Sequence, residues 1–283
     1  MSALLNLARY FSTHPLTRDA PLKAWVRFVR WQLRSRLQDE VLFPWIAGQY
    51  LAVRRGMTGA TGNIYCGLHE FIDMMVALHF LREGDLFLDI GANIGSYTVL
   101  ASGVRRASTW AFEPDPKTVS YLKRNIAINH LDGLVTIYEC ALGSTRGEVQ
   151  FTVGLDTVNK VITSGNYNAR TVSQEKLDNV MDTISRPMMI KVDVEGYEEE
   201  TLKGAQNVLV NPFLKIIMVE TVTPWIESIM VKNNFMRTYY DPFSRALSKN
   251  GPQSSNFIYV RDLPFVETRL TQAEATEIFH LRI

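Results

Sequence analysis

Leu86 to Ala101 reads LFLDIGANIGSYTVLA, and the reading of this stretch decides what kind of sheet the chain builds. Leu86 to Ile90 is a compact apolar run such as a buried central strand shows, and apolar residues resume at helical spacing only after Gly91-Ala92-Asn93-Ile94-Gly95. The stretch is a strand, a glycine turn and a helix. Glycine has no Cβ and a helix N-terminus has free N–H groups, so such a turn lets a ligand touch the backbone at the carboxyl end of a strand. A dinucleotide fingerprint needs G-x-G-x-x-G, whereas Gly91 and Gly95 have three residues between them and Asp89 stands two residues before the first glycine. A carboxylate there repels a pyrophosphate and favours a cationic group, such as the ammonium of an amino-acid moiety. The plain alternative is an ordinary glycine turn.

The next strand, Ser108 to Phe112, is followed by Glu113-Pro114-Asp115-Pro116. Glu113 lies about 20 residues after the glycine turn, where α/β nucleotide binders place an acid that takes both ribose hydroxyls. Asp115 suits the cap of the following helix with Pro116 at its first position, which leaves Glu113 as the functional acid. Upstream, a helix is expected from Leu68 to Arg82, with Phe71, Met74, Met75, Leu78 and Leu81 on one face and Gly84 ending it. His69 and Glu70 stand at its amino end, where they can face the glycine turn.

Downstream the alternation continues, with a helix over Pro116–Asn129 and a third strand over Leu134–Glu139. Gly147 to Val153 reads as an extra strand. Residues 154–174 form a long polar segment, expected to be a substrate lid or a disordered loop, in which Asp156, Thr157 and Asn159 are candidate hydroxyl-binding groups. Met188–Val192 is the fourth strand, ending in Asp193-Val194-Glu195-Gly196, and Phe213–Val219 is the fifth, ending in Glu220. Two late runs, Phe235–Tyr240 and Asn256–Val260, read as an antiparallel hairpin added at one edge. The whole predicts an α/β, doubly wound, mostly parallel Rossmann-like sheet.

The first fifty residues are a separate element. Over Pro21–Leu37 the apolar residues Leu22, Trp25, Val26, Val29, Leu33 and Leu37 recur at helical spacing among Lys23, Arg27, Arg30, Arg34 and Arg36. Such a basic helix either packs on its own domain with its arginines in water, or meets an anionic membrane surface or a lipid-linked substrate. Residues 51–67, with four glycines, read as a hairpin or loop. The expected division is a helical extension with a hairpin over 1–66, the α/β domain over 67–262 and a helical tail over 263–283. The chain's 46% hydrophobic content supports a real core, and a formal net charge of +1 gives no nucleic-acid signature. Cys66 and Cys140 are too few for a disulfide framework or a zinc-thiolate site, so a reducing cytoplasm is expected and no metal is assigned.

Taken together, the motifs resemble the class I S-adenosylmethionine-dependent methyltransferases and, more narrowly, the FkbM-type family. The resemblance covers roughly Gly67 to Val260. It rests on Gly67-x-x-Glu70, on Asp89-x-Gly91-Ala-Asn93-x-Gly95 with Tyr97-Thr98, on Glu113-Pro114, and most specifically on Lys191-Val-Asp193-Val-Glu195-Gly196 followed by Glu198. It implies a seven-stranded sheet with one antiparallel strand, S-adenosylmethionine across the strand ends, and methyl transfer to a hydroxyl of a sugar, glycan or polyketide-type product. On that resemblance Asp89, Gly91, Asn93 and Gly95 line the methionine part, Glu113 holds the ribose, Cys140 and Ala141 meet the adenine, and Glu70 and Thr98 are further cofactor-binding residues.

A hydroxyl is a poor nucleophile at neutral pH, so a general base is expected. Asp193 is the first candidate, Glu195 the second and His69 the third, with Glu220 on the acceptor side. Neighbouring carboxylates at these strand ends can raise one pKa, bind a divalent cation or be neutralised by Lys191. The rivals are a nicotinamide-dependent sugar oxidoreductase or epimerase and a non-catalytic binder on the same scaffold. The glycine spacing and the lack of a tyrosine followed four residues later by lysine speak against the first.

Overall fold

The computed structural model describes residues 2–154, 160–162, 168–182, 184–252 and 254–283. Its centre is an eight-stranded sheet made of β1 (Leu86–Ile90), β2 (Ser108–Phe112), β3 (Val135–Tyr138), β4 (Pro187–Val192), β5 (Ile216–Val219), β6 (Met236–Asp241), β7 (Ala246–Ser248) and β8 (Phe257–Val260). From one edge to the other the order is β7-β6-β8-β5-β4-β1-β2-β3. The five central strands run parallel, and β8 is antiparallel to both β5 and β6. Seven strands with one reversed are as the sequence predicts, and the three-residue β7 is an addition. The late pair is not simply added at the edge, because β8 inserts between β5 and β6. Its residues explain this: Ile258, Tyr259 and Val260 are all buried, as an interior strand covered on both faces requires.

Alternate residues feed two cores. Phe87, Met189, Ile216 and Met218 face one side, where the helix Phe71–Phe80 packs, while Leu88, Ile190, Ile217 and Val219 face the other with Leu202, Leu209 and Met230. The chain leaves β1 for β2 and β3, then crosses back so that β4 lies on β1's other flank. Registers set Lys191 beside Asp89 and Ala111 on Asp89's opposite side. The carboxyl ends of β1 and β4 thus form a topological switch point, where open α/β sheets leave a crevice.

The N-terminal residues form α1 (Ser2–Thr13), α2 (Pro21–Leu37) and α3 (Thr58–Cys66), with an antiparallel pair of strands, Val41–Pro44 and Tyr50–Val53, between the last two. The predicted hairpin therefore uses a partner upstream of residue 51, and 58–66 is a helix rather than a loop. Packing overrides its glycines: Ala60, Ile64 and Cys66 are buried, and a Cβ on Gly62 would come within 2.5 Å of the His69 ring. α2 has the predicted bounds but turns the other way. Ala24 and Trp31 are buried with Phe28 and Trp25 packed nearby, while Leu22, Val26, Val29, Leu33 and Leu37 face water. Trp31, Leu51, Val53 and Ile64 share a core with Ala92, Ile94 and Leu122, so the extension is built into the α/β unit.

Three other expectations shift. α4 (Phe71–Phe80) begins after Glu70, later than predicted, because Gly67 in a left-handed conformation, φ +87°, separates it from α3. The described part of the polar segment is not a bare loop: Val161–Ile162 and Ala169–Glu175 join Ala141–Leu142 and Gly147–Thr152 in a four-stranded sheet. Asp156, Thr157 and Asn159 lie outside the described residues. The tail is helical only over Leu263–Thr271 and ends in a short hairpin, Glu277–Ile278 with Leu281–Arg282.

Candidate active site

A cavity of ≈ 380 Å³ opens at the carboxyl ends of β1 to β5. Of the residues singled out from the sequence, His69, Glu70, Asp89, Gly91, Asn93, Glu113, Cys140, Ala141, Asp193, Glu195 and Glu220 line it. Gly95 and Thr98 do not. They shape the turn from behind: Gly95 takes φ +90°, a conformation that favours glycine, with the Leu122 side chain packed against it, and Thr98 donates to Asp89 Oδ2 at 2.6 Å.

The glycine turn is tied to both neighbouring strands. The amides of Gly91 and Ala92 donate to the Phe112 carbonyl, and Asp193 N donates to the Ile90 carbonyl. A Cβ on Gly91 would lie 1.8 Å from the Asp193 carbonyl oxygen, and its φ is +81°, so only glycine lets β1 and β4 approach this closely. Asn93, also left-handed at φ +51°, donates its N–H to Glu113 Oε2 at 3.0 Å. Glu113 Oε1 accepts from Asp115 N at 2.9 Å. Burial nonetheless raises the Glu113 carboxyl to about 7. Asp115 caps the next helix through Thr118, as expected.

The K-V-D-V-E-G-Y-E stretch has a structural logic of its own. Glu195 and Gly196 take successive left-handed conformations, φ +52° and +91°, in a sharp turn after β4. The buried Glu198 carboxylate holds that turn by accepting from Gly196 N at 3.1 Å and Val194 N at 3.3 Å. The turn presents Asp193 and Glu195 to the cavity beside Glu220 of the neighbouring strand end.

Lys191 is 2% exposed; its ammonium donates to Asp193 Oδ2 at 2.5 Å and lies 4.6 Å from the Tyr97 ring centre. Burial works to lower the Lys191 pKa, but Asp193, Glu70 and Asp89 hold it above its ordinary value. Burial likewise opposes charge on Asp193, and Lys191 outweighs it, so Asp193 stays below the usual carboxylate range. Glu220 moves the other way, raised by burial and by the Asp193 charge beside it. Glu195 is raised by burial and by Asp193. One oxygen from each of Asp193, Glu195 and Glu220 lies within 4.8 Å of the others, the one grouping among the described residues that could hold a metal ion.

Sequence reasoning missed several lining residues. Tyr97 and Lys191 stand inside quoted motifs, but nothing in their spacing shows that the Tyr97 hydroxyl donates to Glu70 at 2.8 Å. Asn63 has no sequence signal; its Oδ1 accepts from His69 N and its Nδ2 donates to Ser96. Cys140 is buried, with its thiol raised to about 11 by that burial, and lines the cavity as an apolar group. His69 sits at the rim, its Nδ1 2.8 Å from the Tyr10 hydroxyl of α1.

This sheet order and glycine turn are those of the class I methyltransferase fold. A family model described as the methyltransferase FkbM domain matches residues 89–247, over half of the chain, and the chain belongs to that family. Its cofactor is S-adenosylmethionine. The chain is 34% identical over 131 residues to the hexuronic acid methyltransferase AglP of Haloferax volcanii, covering 45% of this chain and 53% of that protein. It is 22% identical over 189 residues to a ribosomal protein L11 methyltransferase of Dictyoglomus turgidum, covering 62% and 59% respectively. The chain thus spans between half and two thirds of these relatives. Among solved structures it is similar to a FkbM methyltransferase from Methylobacillus flagellatus, with a TM-score of 0.45, 18% identity, and coverage of 71% of this chain and 52% of that one.

Proposed function

We propose that this methyltransferase transfers the methyl group of S-adenosylmethionine to a hydroxyl oxygen of a sugar, a glycan or a glycosylated or polyketide-type natural product. The observation that carries this reading is the set of three carboxylates, Asp193, Glu195 and Glu220, at the cavity wall beside the glycine turn. Carboxylates are acceptors for hydroxyl donors, which suits an alcohol as the group methylated. The relative named as a hexuronic acid methyltransferase supports a sugar acceptor.

The cavity's donor set suits the cofactor. The volume is in the range of small-molecule sites. Glu113, buried and held near 7, is a carboxylate that two ribose hydroxyls would stabilise. Asp89 and Glu70 offer negative charge to an ammonium, with Gly91 and Asn93 exposing backbone between them. Cys140 and Ala141 give an apolar wall to the base. When bound, the cofactor supplies an electrophilic methyl on a positively charged sulfur.

The chain's own residues then orient and deprotonate the acceptor. Asp193 and Glu220 share a site in which the first stays charged and the second holds its proton to higher pH than usual. As pH rises and the Glu220 proton leaves, the pair can take a proton from the acceptor hydroxyl, with Asp193 nearest the fixed Lys191 charge. Glu195 is the substitute base and His69 a rim residue. Incubation with methyl-labelled S-adenosylmethionine and a panel of sugars, glycans, lipid-linked sugars and free uronic acids tests the reading. Label on a sugar hydroxyl is expected. Label on a uronate carboxyl, a protein side chain or RNA overturns it.

A further inference from the structure

The outward face of α2 has no counterpart in the active site, and its composition is specific. Leu22, Val26, Val29, Leu33 and Leu37 form one exposed stripe, with Leu22 at 78%, Leu33 at 60% and Leu37 at 85% exposure. Successive spacings of four, three, four and four residues keep them on one side, opposite the buried Ala24 and Trp31. Leu4 and Leu5 of α1 are exposed as well. A lone exposed leucine means little, but a continuous stripe along a whole helix marks a contact surface.

Charge says what covers it. Residues 2–38 contain Arg9, Arg18, Lys23, Arg27, Arg30, Arg34 and Arg36 against a single acid, Asp19, in a chain whose formal net charge is only +1. Lys23, Arg30, Arg34 and Arg36 are exposed beside the stripe, and among the described residues none of them pairs with a carboxylate. A second copy seated on this face would set arginine against arginine with no acid between them. An anionic lipid surface takes both the apolar stripe and its basic flanks. No helix among the described residues is long and apolar enough to cross a membrane, so the contact is one lying in the interface.

The same helices reach the cavity. α2 packs on α3, whose Thr58, Gly59, Ala60 and Asn63 line it, and Tyr10 of α1 holds His69 at the rim. We infer that α2, with α1, docks the protein on an anionic lipid bilayer through the Leu22–Leu37 stripe and its basic flanks, and brings the cavity to an acceptor carried at that surface. The second half of this inference rests on the proposed methyl transfer, and the first half stands without it.

The test is co-sedimentation with vesicles of phosphatidylcholine alone and of phosphatidylcholine with phosphatidylglycerol. Deleting the helices would uncover the core they share with the sheet, so substitutions on the exposed face are used instead: Val26→Ser with Val29→Ser and Leu33→Ser, and separately Arg30→Glu with Arg34→Glu. The parent should sediment with the anionic vesicles and not the neutral ones. The charge-reversed variant should bind at least about thirtyfold more weakly, from the worth of a basic residue near an anionic surface, and the serine variant should lose binding as well. Calorimetry with S-adenosylmethionine on each variant shows that the fold and cavity are intact. A parent that ignores anionic vesicles overturns the inference. So does a loss confined to the charge-reversed variant, which points to a soluble polyanion, or a parent dimer that the serine variant abolishes. Because sedimentation needs no acceptor, a protein that fails here yet methylates a soluble sugar leaves the proposed function standing, and one that binds vesicles but methylates no sugar does the reverse.

Discussion

Replacing Glu113 by glutamine removes a charge and keeps the side chain's shape, at a position only 6% exposed. Burial lifts this carboxyl from its ordinary 4.5 to about 7, against the Asp115 and Asn93 amides, which favour the anion. Because the folded state holds the proton more tightly than the unfolded chain does, the penalty for burying the group is absent below pH 4.5. It grows between 4.5 and 7 and levels at about 3 kcal/mol above that. A glutamine escapes this penalty. It can accept only one of the two N–H bonds and turns an NH₂ on the other, a cost of about 1–2 kcal/mol at every pH. Urea unfolding should therefore find Glu113→Gln less stable than the parent near pH 5 and equal or more stable near pH 8. Cofactor affinity should move the opposite way, falling by roughly thirtyfold or more as a charge-assisted pair of ribose contacts is lost. Ribose hydroxyls donating to Glu113 would favour its anion, so cofactor binding near neutral pH should release a proton. Calorimetry in buffers of different ionisation enthalpy would show that release in the parent and not in the variant. A stability difference that is the same at both pH values refutes the raised carboxyl, and unchanged affinity in a folded variant refutes the ribose contact.

Gly91→Ala should destabilise the protein by about 2–4 kcal/mol and abolish cofactor binding, because φ is +81° and the new methyl would collide with the Asp193 carbonyl; thermal denaturation and calorimetry check both. Asp193→Asn should bind S-adenosylmethionine nearly as well as the parent while turnover falls by roughly a hundredfold or more, a loss that shrinks as pH rises; a defect in affinity alone would make Asp193 a cofactor residue. Parent turnover should climb as pH passes the raised Glu220 range, and Glu220→Gln should flatten that climb; an identical pH profile in the variant removes Glu220 from the proton path. Glu198→Ala strips the acceptor from two amides in the left-handed turn and should cost about 1–3 kcal/mol in denaturant unfolding.

The parts of this fold that were legible are those fixed by local rules. The apolar run Leu86–Ile90, the glycine spacing and the Glu113 position each depend on a few neighbouring residues, and five strand ends could be placed from them. The bounds of α2 were legible for the same reason, through its period and Pro21, but its orientation was not. A period states which residues share a face and not which face meets the core. Here Trp25, Phe28 and Trp31 carry the larger buried volume on the side away from the leucines, and Arg27 turns inward with them, its guanidinium donating to the Tyr65 carbonyl and stacking over Phe279. The strand Ala169–Glu175 was hidden differently: its inward positions are Val172 and Gln174, too polar a pair to read as a core face. Asn63 lies on a helix that its own glycines disfavour and that forms because Ala60, Ile64 and Cys66 are buried in packing no local pattern announces. The deepest limit concerns protons. Spacing puts Asp193, Glu195 and Glu220 at strand ends without saying which keeps its proton. The structure answers this through Lys191, whose ammonium pairs with Asp193, and through the alignment of β4 with β5 that leaves Glu220 half-buried against a charge already present. A carboxylate's protonation is thus set by the neighbour across the sheet, and the two members of the proposed pair become distinguishable only when the strands are side by side.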